Sequence, residues 1–181
     1  MLDDTQLLAQ WGEGDKKSGE ILFRRHFDSI SRFFQNKVSS GADDLVQRTF
    51  RACVEKRDRI RDMGSFRAFL FGVARYELLM ELRTRARHRA HEIDFCVSSM
   101  RDLDPSPSQL MLRRQVQRQL FDALRQLPVE TQITLELHYW DGLTVPEIAD
   151  ATDAPIGTVK SRLRNGRLRL LEQLGQLVDS L

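Results

Sequence analysis

The chain has 181 residues, of which 41% are apolar and 30% charged, and its formal net charge at pH 7 is +2. This composition excludes a wholly disordered chain, and the length predicts one domain or two small ones. The longest apolar stretch, residues 68–74, is too short to span a bilayer, and the acidic N-terminus is unlike a secretory signal. Two cysteines cannot form a disulfide framework. We therefore expect a cytoplasmic protein that makes no membrane contact.

Apolar residues recur every three or four positions through the first 85 residues, which predicts amphipathic helices. The first stripe is Phe23, Phe27, Ile30, Phe34 and Val38. A second consists of Leu45, Phe50, Cys53 and Val54, and a third of Phe66, Phe69, Leu70, Val73, Ala74, Leu78 and Leu82. No alternation with a period of two is sustained, so no sheet is expected.

The helical pattern lapses over residues 88–109, which mix charge, serine and proline, and it resumes at Leu112. The sequence therefore predicts an all-α fold of two small helical domains. They comprise residues 1–90 and 111–181 and are joined by a flexible linker of residues 91–110.

Charge is distributed in blocks. Residues 139–153 contain four acids and no lysine or arginine, whereas residues 154–171 contain five bases and no acid. A second basic run is Arg83, Arg85, Arg87 and Arg89. Two basic stretches in a nearly neutral chain favour two contacts with a polyanion, the alternative being two solvated helix faces.

Residues 144–165 carry a helix-turn-helix pattern. Thr144 is expected to cap a helix that has Glu147 at capping-box spacing. Residues 153–155 are expected to form the turn, and a second helix to begin near Ile156. This second helix turns Val159 inward and leaves a polar, basic face for the major groove. A helical hairpin with a basic face is the alternative.

At residues 127–170 the sequence resembles the promoter −35-binding domain of bacterial RNA polymerase sigma factors of the extracytoplasmic-function (ECF) type. The segments EIA and GTVKSRLR are its most specific parts. DDLVQRTF, residues 43–50, resembles the helix that these factors place on the polymerase clamp, and residues 65–87 resemble the stretch that melts and reads the −10 element. The motifs lie in the family's order, so the resemblance covers nearly the whole chain.

The resemblance implies three sets of site residues. For −35 DNA they are Thr158, Lys160, Ser161, Arg162, Arg164 and Arg167. For −10 DNA they are Arg61, Asp62, Ser65, Arg75, Tyr76, Arg83, Arg85 and Arg87. For core polymerase they are Asp43, Asp44, Leu45, Gln47, Arg48 and Phe50. The implied partners are promoter DNA, the clamp of the β′ subunit and the flap of the β subunit, with an anti-sigma protein as the familiar regulator.

The sequence departs from the family pattern on the clamp-facing helix and in the DNA-reading segments. Arg48 stands where the family usually has glutamate, which we expect to weaken docking by unfavourable pairing. Phosphorylation of the neighbouring Thr49 by a Ser/Thr kinase would add about −1.5 to −2 charge and offset the arginine. The alternative is that Thr49 is merely helix surface or packing. Tyr76 and Met80 replace the usual Asn and Asp. Asp153 replaces the usual turn glycine. Aspartate tolerates the left-handed backbone conformation better than most other residues do.

No pattern in the sequence predicts catalysis. Gly14 and Gly19 have phosphate-loop spacing, but Glu20 stands where the loop needs lysine. His88, His91 and Cys96 match no standard zinc spacing. We therefore expect no enzyme activity, metal or cofactor. The competing interpretations are a free-standing helix-turn-helix regulator that binds its operator without polymerase and an enzyme with a nucleic-acid-binding tail.

Overall fold

The computed structural model describes residues 2–56, 65–89 and 119–178, and these ranges form eight helices without a strand. The N-terminal half comprises α1 (Asp4–Gly12), α2 (Lys16–Gln35), α3 (Ala42–Glu55) and α4 (Phe66–Arg89). The C-terminal half comprises α5 (119–125), α6 (Val129–Tyr139), α7 (Val145–Thr152) and α8 (Ile156–Val178). The all-α prediction is thus confirmed.

The first two helices of the N-terminal half begin at capping residues. Asp3 forms a capping box with Gln6 at the start of α1, and the Asp15 side chain accepts a hydrogen bond from the backbone of α2. Helices α1 and α2 then pack closely, since a Cβ added at Gly19 would lie 2.6 Å from the Trp11 ring. Only glycine fits this crossing.

The core of the N-terminal half agrees with the predicted stripes at most positions and differs at a few. Of the predicted positions, Ile30, Phe34, Leu45, Cys53 and Leu78 are fully buried. The stripe prediction was wrong for Phe27 and Val54, which are 50% and 52% exposed, because each lies on the outer side of its helix.

The helix-turn-helix has the predicted form. Thr144 and Glu147 make a capping box at the start of α7, and Asp153 ends this helix in the left-handed conformation at φ 49°. Helix α8 begins at Ile156 and buries Val159 completely. It also crosses α6 closely, since a Cβ at Gly166 would meet Leu135 and Thr131 at 2.8 Å.

The two halves pack against each other along α4 and α7. Buried residues of both belong to one core: Phe33, Leu70 and Ala74 of the N-terminal half, and Ile133, Leu137, Ile148 and Val159 of the C-terminal half. A Cβ added at Gly72 would lie 3.4 Å from the Ala151 carbonyl oxygen, so the two backbones approach closely. The predicted linker, residues 91–110, lies outside the described residues, and the domain boundaries stay a prediction.

No helix in the described ranges has the length and apolar character needed to cross a membrane.

Candidate nucleic-acid and polymerase interface

The outer face of α8 presents most of the predicted −35 residues to solvent. Thr158, Lys160, Ser161, Arg164 and Arg167 are all exposed, and the inward-facing Val159 fixes the rotation of the helix. Asn165 donates a side-chain hydrogen bond to Ser161 along the same face. A basic helix exposed from its first turn has the shape and charge to enter a major groove.

Arg162 differs from its neighbours because it is turned toward the protein. Its side chain is 24% exposed, and its Nη1 lies 3.6 Å from the Glu130 carboxylate. Arg75 of α4 donates to the same carboxylate through two nitrogens, Nε at 3.0 Å and Nη2 at 2.6 Å. Glu130 therefore holds one predicted −35 residue and one predicted −10 residue at once.

The predicted −10 residues divide into exposed and engaged groups. Tyr76 is 58% exposed, and Arg83 and Arg87 are also exposed. Arg85 instead donates to Glu81 at 2.8 Å and to the Ser40 carbonyl at 2.6 Å. Ser65 donates to Glu147 of α7 at 2.8 Å. Arg61 and Asp62 lie outside the described residues.

The predicted polymerase-binding residues on α3 form an exposed acidic edge beside an apolar groove. Asp43, Asp44 and Gln47 are exposed, Phe50 is half-buried, and Leu45 is fully buried and supports the helix from inside. The groove is lined by side chains from α2 and α3, namely Phe23, Phe27, Val46, Phe50 and Val54. Exposed Phe27 and Val54, which the sequence analysis placed in the core, thus extend this surface.

Arg48, which stands where the family usually has glutamate, is paired with acidic side chains within the fold. Its guanidinium contacts Asp44 at 3.0 Å, Glu81 at 3.0 Å and Glu77 at 3.7 Å. The charge is therefore satisfied between α3 and α4, and the pairings with Arg48 and Arg85 hold the pKa of Glu81 below its usual value. The expectation that Arg48 weakens docking by unfavourable pairing stays a prediction, and its pairing with Asp44 and Glu81 stands against it.

Thr49 is buried rather than placed on the helix surface. It is 0% exposed, and its hydroxyl donates to the Leu45 carbonyl oxygen at 2.8 Å. A kinase cannot reach this hydroxyl in the folded helix, and a phosphate there would displace core side chains. The burial of Thr49 therefore stands against phosphorylation and agrees with the packing alternative.

A buried ion pair that the sequence analysis missed connects the two halves. Lys37, at the end of α2, pairs with Glu136 of α6, and each side chain is only 2% exposed. Lys37 also donates to the Phe33 carbonyl oxygen and lies 3.9 Å above that ring, while Gln132 donates to Glu136. Burial lowers the pKa of Lys37 and raises that of Glu136.

Beside this pair, Arg32 donates to the buried Asp141 at 3.0 Å. The sequence offered one weak signal for these contacts, an acid at position 136 between Leu135 and Leu137 in an apolar helix.

Comparison with known families matches both halves of the chain. Residues 22–88 match the family "Sigma-70 region 2", and residues 117–170 match "Sigma-70, region 4". The chain is 26% identical over 175 residues to the ECF RNA polymerase sigma-E factor of Haemophilus influenzae, with 92% of each covered. It is 26% identical to that of Escherichia coli K12, with 92% of this chain and 91% of the relative covered.

Two solved structures have a similar fold. The sigma factor RpoE from Bartonella quintana, in complex with the anti-sigma factor NepR, has 25% identity and a TM-score of 0.72 over 89% of this chain and 97% of its own. CnrH, solved with the cytosolic domain of CnrY, has a TM-score of 0.67 at 21% identity and covers 98% of this chain and 97% of its own. The CnrH likeness supports the fold alone.

A free-standing regulator has no need of region 2, so this alternative is not favoured. The chain belongs to the sigma-70 family as a sigma factor of the ECF type, which binds core RNA polymerase and promoter DNA and directs transcription initiation.

Proposed function

We propose that the exposed face of α8 reads the −35 element through Thr158, Lys160, Ser161, Arg164 and Arg167. The observation that carries this proposal is the common exposure of these side chains around the fully buried Val159. Lysine and arginine bind guanine edges or phosphates, and threonine and serine suit either task. Arg162 joins this surface only when it leaves Glu130.

We further propose that α4 and the segment before it bind the melted −10 strand. The exposed ring of Tyr76 offers a surface on which a base stacks, and Arg83 and Arg87 track the phosphates. Arg75, Arg85 and Ser65 are assigned to the same strand once they are released from their present partners. Arg61 and Asp62 are assigned to it from the family resemblance alone.

Docking on core polymerase is proposed to use α3. Asp43, Asp44 and Gln47 supply polar contacts to the β′ clamp, and Phe50 supplies an apolar one. Leu45 supports α3 by packing in the core, and Arg48 supports it by pairing with Glu81. The C-terminal half is assigned to the flap of the β subunit, and residues 1–90, 91–110 and 111–181 are proposed as the corresponding domains and linker.

Control by an anti-sigma protein is the better supported form of regulation. The solved sigma factor RpoE from Bartonella quintana is in complex with the anti-sigma factor NepR, whereas Thr49 is buried in the folded chain. We propose a cytoplasmic location because transcription takes place there. We also propose that the chain catalyses no reaction itself and needs no metal or cofactor, since the polymerase supplies the chemistry.

The proposal is tested by in vitro transcription with bacterial core RNA polymerase and a promoter library, with and without this protein. We expect run-off products from one −35/−10 class only when the protein is present. Lys160→Ala should reduce these products about tenfold and lower the salt dependence of binding by about one phosphate contact. The matched control is Lys17→Ala, an exposed base of α2, and should act like the wild type.

Two other outcomes would contradict the proposal. Tight, sequence-specific DNA binding without any core-dependent initiation would instead favour a free-standing regulator. An equal loss in Lys17→Ala and Lys160→Ala would show that only net charge matters.

A further inference from the structure

The clamp-facing helix α3 begins without a side-chain cap. Gly41 precedes its first residue with φ 76° and has no side chain that could accept from the free backbone amides. The Leu45 amide donates to the Gly41 carbonyl oxygen at 3.2 Å as the first helical bond. A helix end of this kind frays unless another part of the fold holds it.

Arg85 of α4 holds the start of α3 from the side. Its Nη2 donates to the Ser40 carbonyl oxygen at 2.6 Å. The guanidinium also lies against Gly41, where an added Cβ would be 3.4 Å from the same nitrogen. Ser40 and Arg85 are 45 residues apart, so this contact ties the turn before α3 to a helix that is distant in the sequence.

Glu81 extends the contact from this turn into α3 itself. Its Oε1 accepts a hydrogen bond from Arg85 at 2.8 Å, and its Oε2 accepts one from Arg48 at 3.0 Å. Arg48 in turn lies 3.0 Å from the Asp44 carboxylate. A continuous network therefore runs from the turn at Ser40 to Asp44, which belongs to the proposed polymerase-binding edge.

The members of this network differ in how directly they face a partner. Asp44 is exposed, whereas the side chains of Glu81 and Arg85 are only 22% and 25% exposed. Glu81 is assigned above neither to polymerase nor to DNA. Arg85 is assigned to the −10 strand, but binding of core polymerase without DNA leaves its bonds to Ser40 and Glu81 in place.

We propose that Glu81 and Arg85 are positioning residues for polymerase docking, which hold the first turn of α3 so that Asp43 and Asp44 face the clamp. The inference rests on the proposed docking of α3. Neither positioning residue touches the polymerase in this role. Each acts by keeping the start of α3 in the arrangement that binds, and such preorganisation sets affinity.

The test variant is Glu81→Gln, and the matched control is Glu55→Gln. Each change removes one carboxylate charge that pairs with an arginine of α3 at 3.0 Å, but Glu55 lies at the opposite end of the helix from the turn. The Kd for core polymerase is measured by biolayer interferometry with the full-length chain and without DNA. If the first turn is correctly placed about a fifth of the time, Kd rises about fivefold. We expect this rise in Glu81→Gln and an unchanged Kd in Glu55→Gln.

A second pair of variants tests Arg85 in the same assay. Arg85→Gln should weaken core binding as Glu81→Gln does, because it removes the bond to the Ser40 carbonyl oxygen. Arg83→Gln makes the same change at an exposed arginine of the same helix. Its Kd for core polymerase should equal that of the wild type.

Two further measurements distinguish positioning from a general loss of stability. Amide hydrogen exchange of residues 45–47, in the first bonded turn of α3, should be faster in Glu81→Gln than in Glu55→Gln. Transcription by core polymerase that is saturated with Glu81→Gln should equal that with the wild type, because only the affinity has changed. A general loss of folded protein would not accelerate exchange selectively at this turn.

The proposal is overturned if Glu81→Gln and Glu55→Gln bind core polymerase with equal affinity. It is also overturned if Glu81→Gln weakens binding while exchange at residues 45–47 matches the control, or if saturation does not restore transcription. In either case Glu81 would act elsewhere than at the start of α3.

Failure of the proposed docking would look different. Gln47→Ala, which removes an exposed side chain proposed to contact the clamp, would then bind core polymerase as tightly as the wild type. Exchange at residues 45–47 would still respond to Glu81→Gln. This result would overturn the inference together with the docking site on which it rests.

Discussion

Two clusters of ion pairs in this sigma factor each neutralise a basic side chain, one near the surface and one in the interior. Arg48 meets three carboxylates between α3 and α4, with its side chain 40% exposed. Lys37 meets one carboxylate between the two halves, with both side chains 2% exposed. Water screens the first cluster, so its members are individually replaceable, whereas each partner in the second depends on the other.

The largest expected effect comes from breaking the buried pair. Lys37→Met leaves the Glu136 carboxylate buried without its cation and should lower the free energy of unfolding by about 3–5 kcal/mol. The double variant Lys37→Met/Glu136→Leu should recover most of this loss, because no unpaired charge remains. Urea unfolding followed by circular dichroism measures both. If the double variant were as unstable as Lys37→Met, the unpaired Glu136 carboxylate would not be the cause of the instability.

A buried contact without charge provides the next comparison. In Gly166→Ala the new methyl group would meet Leu135 and Thr131 at 2.8 Å, and overpacking of this kind costs about 1–3 kcal/mol. The matched control is Gly175→Ala on the same helix, where nothing lies within 4 Å. Because alanine favours helix, the control should gain about 0.5–1 kcal/mol. Thermal unfolding of the two variants should therefore shift in opposite directions.

The exposed cluster should respond weakly to the loss of its cation and more strongly to charge reversal. Arg48→Gln is expected to cost less than about 1 kcal/mol, because solvent screens the pairs that it removes. Arg48→Glu should cost more, since it adds a carboxylate beside Asp44, Glu77 and Glu81. Denaturant midpoints of the two variants test this order. Equal stability of the two would show that the acids near Arg48 do not matter.

The smallest expected effect is a pH dependence within the exposed cluster. The pKa of Glu81 is lowered by its bonds to Arg85 and Arg48, so its stabilising contribution is fully present above the ordinary glutamate pKa. The contribution is lost as the pH falls through the lowered value. Between pH 7 and acid pH, Glu81→Gln should therefore lose less stability than the wild type. Parallel pH profiles for the two proteins would contradict the prediction.

Local features of this fold are readable from the sequence because they depend on neighbouring residues. The capping box joins Thr144 and Glu147, which are only three residues apart. The left-handed turn at Asp153 requires only a residue that tolerates a positive φ. The start of α8 and the exposure of its basic face follow from the helical period. The capping box, the turn and the helical period together determine the helix-turn-helix and the candidate −35 surface.

Apolar spacing was less informative about which side of a helix becomes the core. Phe27 and Val54 fit the helical stripes, yet both are half exposed beside the groove of α2 and α3. The sequence left open whether Thr49 lies on the helix surface or in the packing, and it is fully buried. A stripe gives the period of a helix, but neighbouring helices decide how wide the buried face is.

By itself the sequence determined most of the helices, the cap at Thr144, the order of the family's motifs and the basic face of α8. Only the tertiary structure decided how the halves meet. Arg75 and Glu130 are 55 residues apart, and Lys37 and Glu136 are 99 apart. No local pattern encodes such pairs, because they form only when packing of the common core brings distant helices together and removes the water between their charges.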